Sequence, residues 1–417
     1  MTRNEKQTTI LVLIVAVVAA LIVGVFMFMG MLKSGATEKM TQDKIAIGEN
    51  HTLVVDDSGV VYAFGNNDVG ELGDVTCESS RVPVKIEVPS KVVQVAAGDQ
   101  LSFALCKNGD LYAWGDDTSW QMGDGMNISR MEPEKMMEDV AAVAAGNKHV
   151  LAIKKDGALY VWGRNRKGAL GIADSECDQS DNDGYACQSL AYKLMDDVAA
   201  ISAGLDYSMA VTKDGTLYAW GDNAEGQLGL ASVDSKSADG EPYQSVPAKV
   251  MDNVKTVSCG SRYQAFAITN DNDLYGWGKN TVGSVGIEKV DNEEDGIQTV
   301  PVKVMSDVAQ VATGSAHTLA LTTEGTAYAW GVNNYNQISI KQGDKTYKIG
   351  NEEMFYQSKP KKVEEHGKSI AAGGFSSAIH TENNILKVFG CNLYGQLGLG
   401  KSDNSIITPT ALNLTKK

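Results

Sequence analysis

DGTLYAWGDNAEGQLG, Asp214 to Gly229, decides the fold. Its first half alternates apolar with polar or small side chains, the period-two pattern of a half-buried strand. Trp220-Gly221 closes that strand. Asn223, Gly226 and Gly229 follow, residue types that tolerate positive φ, so a tight turn comes next. Outward from here the unit recurs at Phe64-Gly65, Trp114-Gly115, Trp162-Gly163, Trp277-Gly278, Trp330-Gly331 and Phe389-Gly390. The six intervals average about 54 residues, the period of a solenoid or propeller blade.

The turn after each aromatic keeps its register. Gly70, Leu72 and Gly73 stand there in the first repeat, Gly168, Leu170 and Gly171 in the third, Gly283, Val285 and Gly286 in the fifth, and Gly395, Leu397 and Gly398 in the seventh. The second repeat puts Trp120 at the first glycine position, and the sixth has Asn336 and Ser339 in place of both glycines. Upstream, VAAISAG, YSMAVT and TLYAW around Asp214-Gly215 predict strand, strand and hairpin-linked strand. Downstream, runs such as Val82-Pro-Val, Val246-Pro-Ala and Val300-Pro-Val supply a fourth. Four short strands per unit make one blade, and seven units make an all-β, seven-bladed β-propeller.

Repetition assigns most conspicuous side chains to the scaffold. Tyr62, Tyr112, Tyr160, Tyr218, Tyr275 and Tyr328 lie two residues before the aromatics, on the same strand face, and predict inter-blade packing. His51, His149 and His317 each follow an equivalent glycine by three residues, where other repeats have Leu101, Tyr207, Tyr263 and Ser376. One histidine per separate blade is poor metal geometry, so these are read as structural, and no metal or cofactor is expected.

The strings Gly314-Ser-Ala-His-Thr-Leu-Ala-Leu321 and Asp214 to Gly229 resemble the regulator of chromosome condensation repeat. The resemblance covers about residues 44–417 and implies a seven-bladed propeller. Some eukaryotic members of that family are guanine-nucleotide exchange factors for a small GTPase. Others are secreted bacterial proteins that clasp a protein target with one propeller face. No exchange-factor residues of the family map onto this sequence.

Residues 10–32, ILVLIVAVVAALIVGVFMFMGML, carry no charge and are long enough to span a bilayer. The expected organisation is a cytoplasmic tail (1–9), a transmembrane signal anchor (10–32), a linker (33–43) and the propeller (44–417), of the bacterial membrane-anchored type. Ala16, Ala20 and Gly24 form a small-residue row suited to weak pairing of two such helices. A net charge of −15 argues against nucleic acid as a partner. Cys177 and Cys187 lie inside a polar insertion, where an oxidising compartment would join them in a short-loop disulfide. Cys259 takes a repeat position held elsewhere by alanine or threonine and reads as buried.

Insertions at about 172–190, 230–245, 287–299 and 338–358 all fall between the glycine turn and the fourth strand, so they gather on one rim. They bring Tyr185, Tyr243, Tyr347, Phe355 and Tyr356, candidate aromatic anchors for a partner. They are also acidic, with Asp174, Glu176, Asp178, Asp181 and Asp183, then Asp291, Glu293, Glu294 and Asp295. Their spacing fails the calcium-loop pattern at its first and twelfth ligands, Gln179 and Leu190. No nucleophile elbow, metalloprotease motif or phosphate loop is present. The expectation is a non-enzymatic, membrane-tethered extracytoplasmic propeller that binds a protein or cell-wall partner. Two alternatives are an intracellular exchange-factor-like propeller and a carbohydrate-binding or hydrolytic one. The strand at Lys44–Ile47 is expected to pair with the last repeat and so close the ring.

Overall fold

The computed structural model describes residues 44–415 except 238, 295, 342, 350, 351 and 402. The expected anchor, tail and linker lie outside the described residues. Among the described residues no helix is long and apolar enough to cross a membrane.

Seven antiparallel sheets follow one another along the chain. Blade 1 runs Ile45–Ile47, His51–Val55, Val61–Gly65 and Ser80–Ile86. Blades 2 to 7 begin at Val92, Val140, Val198, Val254, Val308 and Gly367. The four main strands of each blade are neighbours in sequence order, a meander, and in blades 3, 4 and 6 a short insertion strand takes the outer edge beyond the strand that follows it. The expected insertions fold back as hairpins instead of hanging free. Gln179–Ser180 pairs with the start of Ala186–Met195, Ser235–Lys236 with Pro242–Met251, and Lys345–Ile349 with Glu352–Glu364.

Apolar burial lies between blades more than within them. One cluster joins Leu53, Val55 and Leu72 of blade 1 to Val95, Ala104 and Trp114 of blade 2. Another joins Val388 and Leu397 of blade 7 to Val54 and Phe64 of blade 1. The indoles of Trp114, Trp162, Trp220, Trp277 and Trp330 are fully buried, and each donates its Nε1–H to a turn carbonyl of the preceding blade. Trp220, for example, donates to the Ala169 carbonyl at 2.9 Å. Gly171, at φ +73°, lies against that indole, where a Cβ would come within 3.0 Å of Nε1. Positive φ persists where glycine has been lost: Trp120 has φ 64°, Asn336 65° and Ser339 54°. The turn geometry is thus imposed by the stacked blades.

The three histidines share one arrangement. Nε2 of His51, His149 and His317 lies 2.9 Å from the hydroxyl of Ser102, Ser208 and Ser377 in the next blade. Those serines donate in turn to the carbonyls of Glu71, Ala169 and Gln337. A serine has one proton to give, so each histidine donates from Nε2. Burial lowers their pKa values to about 4, about 4 and about 3. In blade 5 the equivalent strand position is held by Gln264 and not Tyr263. Gln264 pairs with Gly278 as His317 pairs with Gly331, because one extra residue follows Gly260.

Ring closure differs from the expectation. Ile45–Ile47 pairs with Thr52–Val54 of its own blade, not with the last repeat. Blade 7 meets blade 1 through the contacts used at the other seams. Thr52 donates to the Gln396 carbonyl at 2.8 Å, Gly398 lies against the Phe64 ring, and Arg81 donates to the carbonyls of Asn392, Leu393 and Lys401. All four strands of blade 1 are present in sequence before blade 2 starts, so no strand needs to be borrowed.

Candidate functional site

Antiparallel order puts the loops after the first and third strands of every blade on one face. The insertion hairpins therefore share a face with the short loops that follow Gly48, Gly98, Gly146, Gly204, Gly260 and Gly314. Five of those loops, the ones after Gly48, Gly98, Gly146, Gly204 and Gly260, rim a central cavity of about 240 Å³, whose polar lining includes Glu49, Asp99, Asn147 and Arg262. Burial raises the Asp99 carboxyl, Glu49 adds to the rise and Lys148 opposes it.

A second cavity of about 410 Å³ opens beside it, where blades 3 and 4 meet. Lys148, Arg164, Arg166, Asp183, Tyr185 and Asp206 line it. Both guanidiniums lie over the Tyr185 ring, Arg164 at 4.9 Å and Arg166 at 5.6 Å from its centre. Arg164 holds the buried Asp181 at 2.5 Å and Asp183 at 2.9 Å, while Arg166 pairs with Asp206. Lys167 of the same turn pairs with Asp222 at 3.0 Å. Burial pushes the Asp206 carboxyl up, and Arg166 offsets part of that rise.

The sequence reading did not single out this cation cluster, although its signal is plain. Arg164 and Arg166 occupy repeat positions held by Asn66 and Asp68 in blade 1, and by Asp222 and Ala224 in blade 4. Three cations in four residues appear in this turn alone, within a chain of net charge −15.

Of the five aromatic candidates, only Tyr185 faces this cavity, and it is 38% exposed. Tyr347 and Tyr356 stack edge to face at 6.0 Å inside the blade 6 hairpin, and Asn334 donates to the Tyr347 hydroxyl. Tyr243 packs on Gly168 at the seam between blades 3 and 4, and Tyr356 packs likewise on Gly283 of blade 5. Phe355 is half-buried in the same hairpin, its carbonyl taking the Asn333 N–H. Four of the five are thus hairpin and seam residues.

Four insertion aspartates act as staples for the fourth strand. Asp178, Asp234, Asp291 and Asp344 each accept the backbone N–H and hydroxyl of Ser189, Ser245, Thr299 and Ser358. The acidity of these loops is partly backbone capping. Asp295 lies outside the described residues. Among the described residues, no group of three or more His, Cys, Asp or Glu is placed to hold a metal ion.

The expected bridge between Cys177 and Cys187 is not formed, and both are free thiols. Burial pushes both thiols up to about 12, as it does for Cys259, and Cys106 to about 11. So few thiolates exist at neutral pH that native-state reaction is slow. Dithionitrobenzoate at pH 8 should therefore titrate these four only after denaturation. Rapid native reaction of all six cysteines would contradict the burial.

The profile of the RCC1-like domain matches residues 29–264, and that of the regulator of chromosome condensation (RCC1) repeat matches 254–284 and 308–337. The chain is 31% identical over 258 residues to the ultraviolet-B receptor UVR8 of Arabidopsis thaliana, covering 60% of this chain and 56% of that protein. It is 27% identical to the guanine nucleotide exchange factor SRM1 of Saccharomyces cerevisiae, over 89% of this chain and 74% of the relative. It also matches the human E3 ubiquitin-protein ligase HERC2 at 31% identity, over 87% of this chain but 7% of that protein. The chain thus spans only part of the length of several of these relatives. Among solved structures, Prp20p of Saccharomyces cerevisiae superposes with a TM-score of 0.63 at 26% identity, over 79% of this chain and 80% of Prp20p. Its structure was described together with binding to Gsp1p and histones. Human WBSCR16, at 20% identity and a TM-score of 0.68 over 85% of this chain and 95% of its own, shows the fold alone. These relatives are eukaryotic, so the likeness holds for the family and not for a bacterial, membrane-anchored branch of it.

Proposed function

Since this chain belongs to the RCC1-like domain family, we propose that its propeller is a non-enzymatic protein-recognition module of exchange-factor type. It receives a small GTPase on the face that carries the central cavity and the insertion hairpins. The observation that carries this reading is the extent of likeness to SRM1, which runs over 89% of the chain and so through the whole ring instead of one repeat. A propeller face suits the task, because seven rigid blades present loops from distant parts of the sequence as one surface. Exchange needs no nucleophile or general base. It needs a surface that binds the nucleotide-free partner more tightly than the loaded one, so that release is driven by differential affinity.

The test loads each small GTPase of the source organism with a fluorescent GDP analogue and adds the full-length chain with excess GTP. Release from one of them is expected to accelerate at least about tenfold, a difference of about 1.4 kcal/mol in the barrier. Unchanged release across the whole set would refute exchange activity.

The uncharged run at 10–32 supports a membrane tether, and with a GTPase partner the propeller sits on the cytoplasmic side. A second reading draws on the same run: an extracytoplasmic propeller that binds a protein or wall component. Protease treatment of intact cells separates the two. Digestion of the propeller under those conditions excludes the exchange-factor reading, and its protection excludes the extracytoplasmic one.

A further inference from the structure

The cavity where blades 3 and 4 meet holds an arrangement that neither the fold nor the seam requires. Arg164 is bound by two carboxylates of very different standing. Asp181 is 1% exposed and locked in place: it accepts the Ser119 hydroxyl at 3.1 Å and the backbone N–H groups of Asp183 and Tyr185 at 3.0 Å. Asp183 is 65% exposed, at the tip of the turn that Asp181 builds, and its carboxylate takes the Arg164 Nη2–H at 2.9 Å. The next residue, Gly184, at φ +83°, has nothing within 4 Å of the place a Cβ would take, so the tip faces open space. Lys148 sits at the cavity wall with weak partners, Asp116 at 3.8 Å and the Thr118 hydroxyl at 3.4 Å. Arg166 is 35% exposed. The Tyr185 ring lies within 4.9 Å of the Arg164 guanidinium and 5.6 Å of the Arg166 guanidinium and packs against both.

We propose that this cavity binds a carboxylate side chain from an acidic segment of a protein partner, and that Asp183 is the internal carboxylate it displaces. The incoming group takes the outer edge of Arg164 and the exposed part of Arg166, with Lys148 as a third cation. Asp181 and Asp206 stay behind and keep the arginines in position. Guanidinium forks held over an aromatic ring suit a planar carboxylate. Charge supplies the selectivity. A chain of net charge −15 repels an acidic segment over most of its surface, so a cavity on which three cations converge directs it here. The cavity volume of about 410 Å³ falls within the range of small-ligand pockets, about 300–1,000 Å³.

This site rests on the protein-binding reading above and deepens it. The probe is a fluorescein-labelled hexaglutamate peptide titrated with the full-length chain, with hexalysine and a phosphoserine peptide as comparisons. Asp183→Asn removes the internal competitor, an exposed pair, and should tighten hexaglutamate binding about threefold to fivefold. Arg166→Gln and Lys148→Gln should each weaken it, the first by about tenfold. A gain of affinity in D183N cannot come from misfolding. Hexaglutamate that binds D183N no better than the parent overturns the proposal, as does hexalysine that binds as well as hexaglutamate. A phosphoserine peptide that binds more than tenfold better than hexaglutamate overturns the carboxylate assignment. Peptide binding with this variant order but no exchange sinks the exchange-factor reading alone. Exchange that D183N and R166Q leave unchanged, without hexaglutamate binding, sinks the pocket alone.

Discussion

Acidification from pH 7 to pH 4 is expected to unfold the propeller, and the three buried histidines dominate the loss. An unfolded histidine takes up its proton near pH 6.5. In the folded ring protonation waits until about pH 4 for His51 and His149, and about pH 3 for His317, because burial disfavours the charge. Between these limits the unfolded chain binds more protons, so stability is fully present above pH 6.5 and falls as the pH drops through that window. Each histidine contributes about 3 kcal/mol, and the three together about 10, which is comparable to the whole stability of a typical domain. Asp117 works in the opposite direction. Burial raises its carboxyl to about 7, so it favours the folded state as the pH falls from 7 towards 4. Burial raises the Asp99 and Asp206 carboxyls in the same sense, so these carboxyls together oppose part of the histidine loss. In blade 5 a glutamine already occupies the histidine position, and Gln264 donates to the Gly314 carbonyl at 2.9 Å. The triple variant His51→Gln, His149→Gln, His317→Gln should therefore keep an Nε2 donor and unfold at lower pH than the parent. Circular dichroism against pH reads the midpoint. A triple variant that unfolds at the parental pH would show that other groups control acid lability.

Trp220→Ala should cost about 3–5 kcal/mol, the range for large aromatic truncation in a packed core. Its indole is fully buried between blades and bonded to the Ala169 carbonyl. That carbonyl keeps the Ser208 hydroxyl at 2.8 Å, so the loss is mainly a cavity at the seam. Trp220→Phe tests this division. Phe64 and Phe389 already fill the equivalent place in blades 1 and 7, so a phenyl ring fits, and the expected cost is about 1 kcal/mol for the missing donor. Urea unfolding of both variants measures the difference. Equal costs for W220A and W220F would assign the stabilisation to the hydrogen bond and not to packing.

The blade count and strand order were legible because the signal is local. An aromatic–glycine pair and its turn fall within about 16 residues, and each blade repeats them. What escaped depended on the ring as a whole. Ile45–Ile47 reads from the sequence as a closing strand, and only its pairing with Thr52–Val54 places it in its own blade. A single extra residue after Gly260 shifted Gln264 out of the simple count. For the site, the insertions were visible as departures from the repeat, and Tyr185 among them. The cations that meet Tyr185 lie inside the repeat, at Arg164 and Arg166, where departures in residue type are easily passed over. Cys177 and Cys187 are close in sequence, but spacing carries no information about whether their thiols are bonded.

The closure of the ring sets how the molecule would bear a mechanical load. Many rings are fastened by a clasp, one end's strand buckled into the other end's sheet. Here the two ends lie side by side, and the first strand holds its own blade by three residue pairs, Ile45–Val54, Ala46–Leu53 and Ile47–Thr52. Traction at the N-terminal end would load that short strand together with the seam, because Ile45 and Ile47 pack into the same cluster as Phe64 while Thr52 and Arg81 bond to blade 7. The first strand is part of the lock and not a link ahead of it.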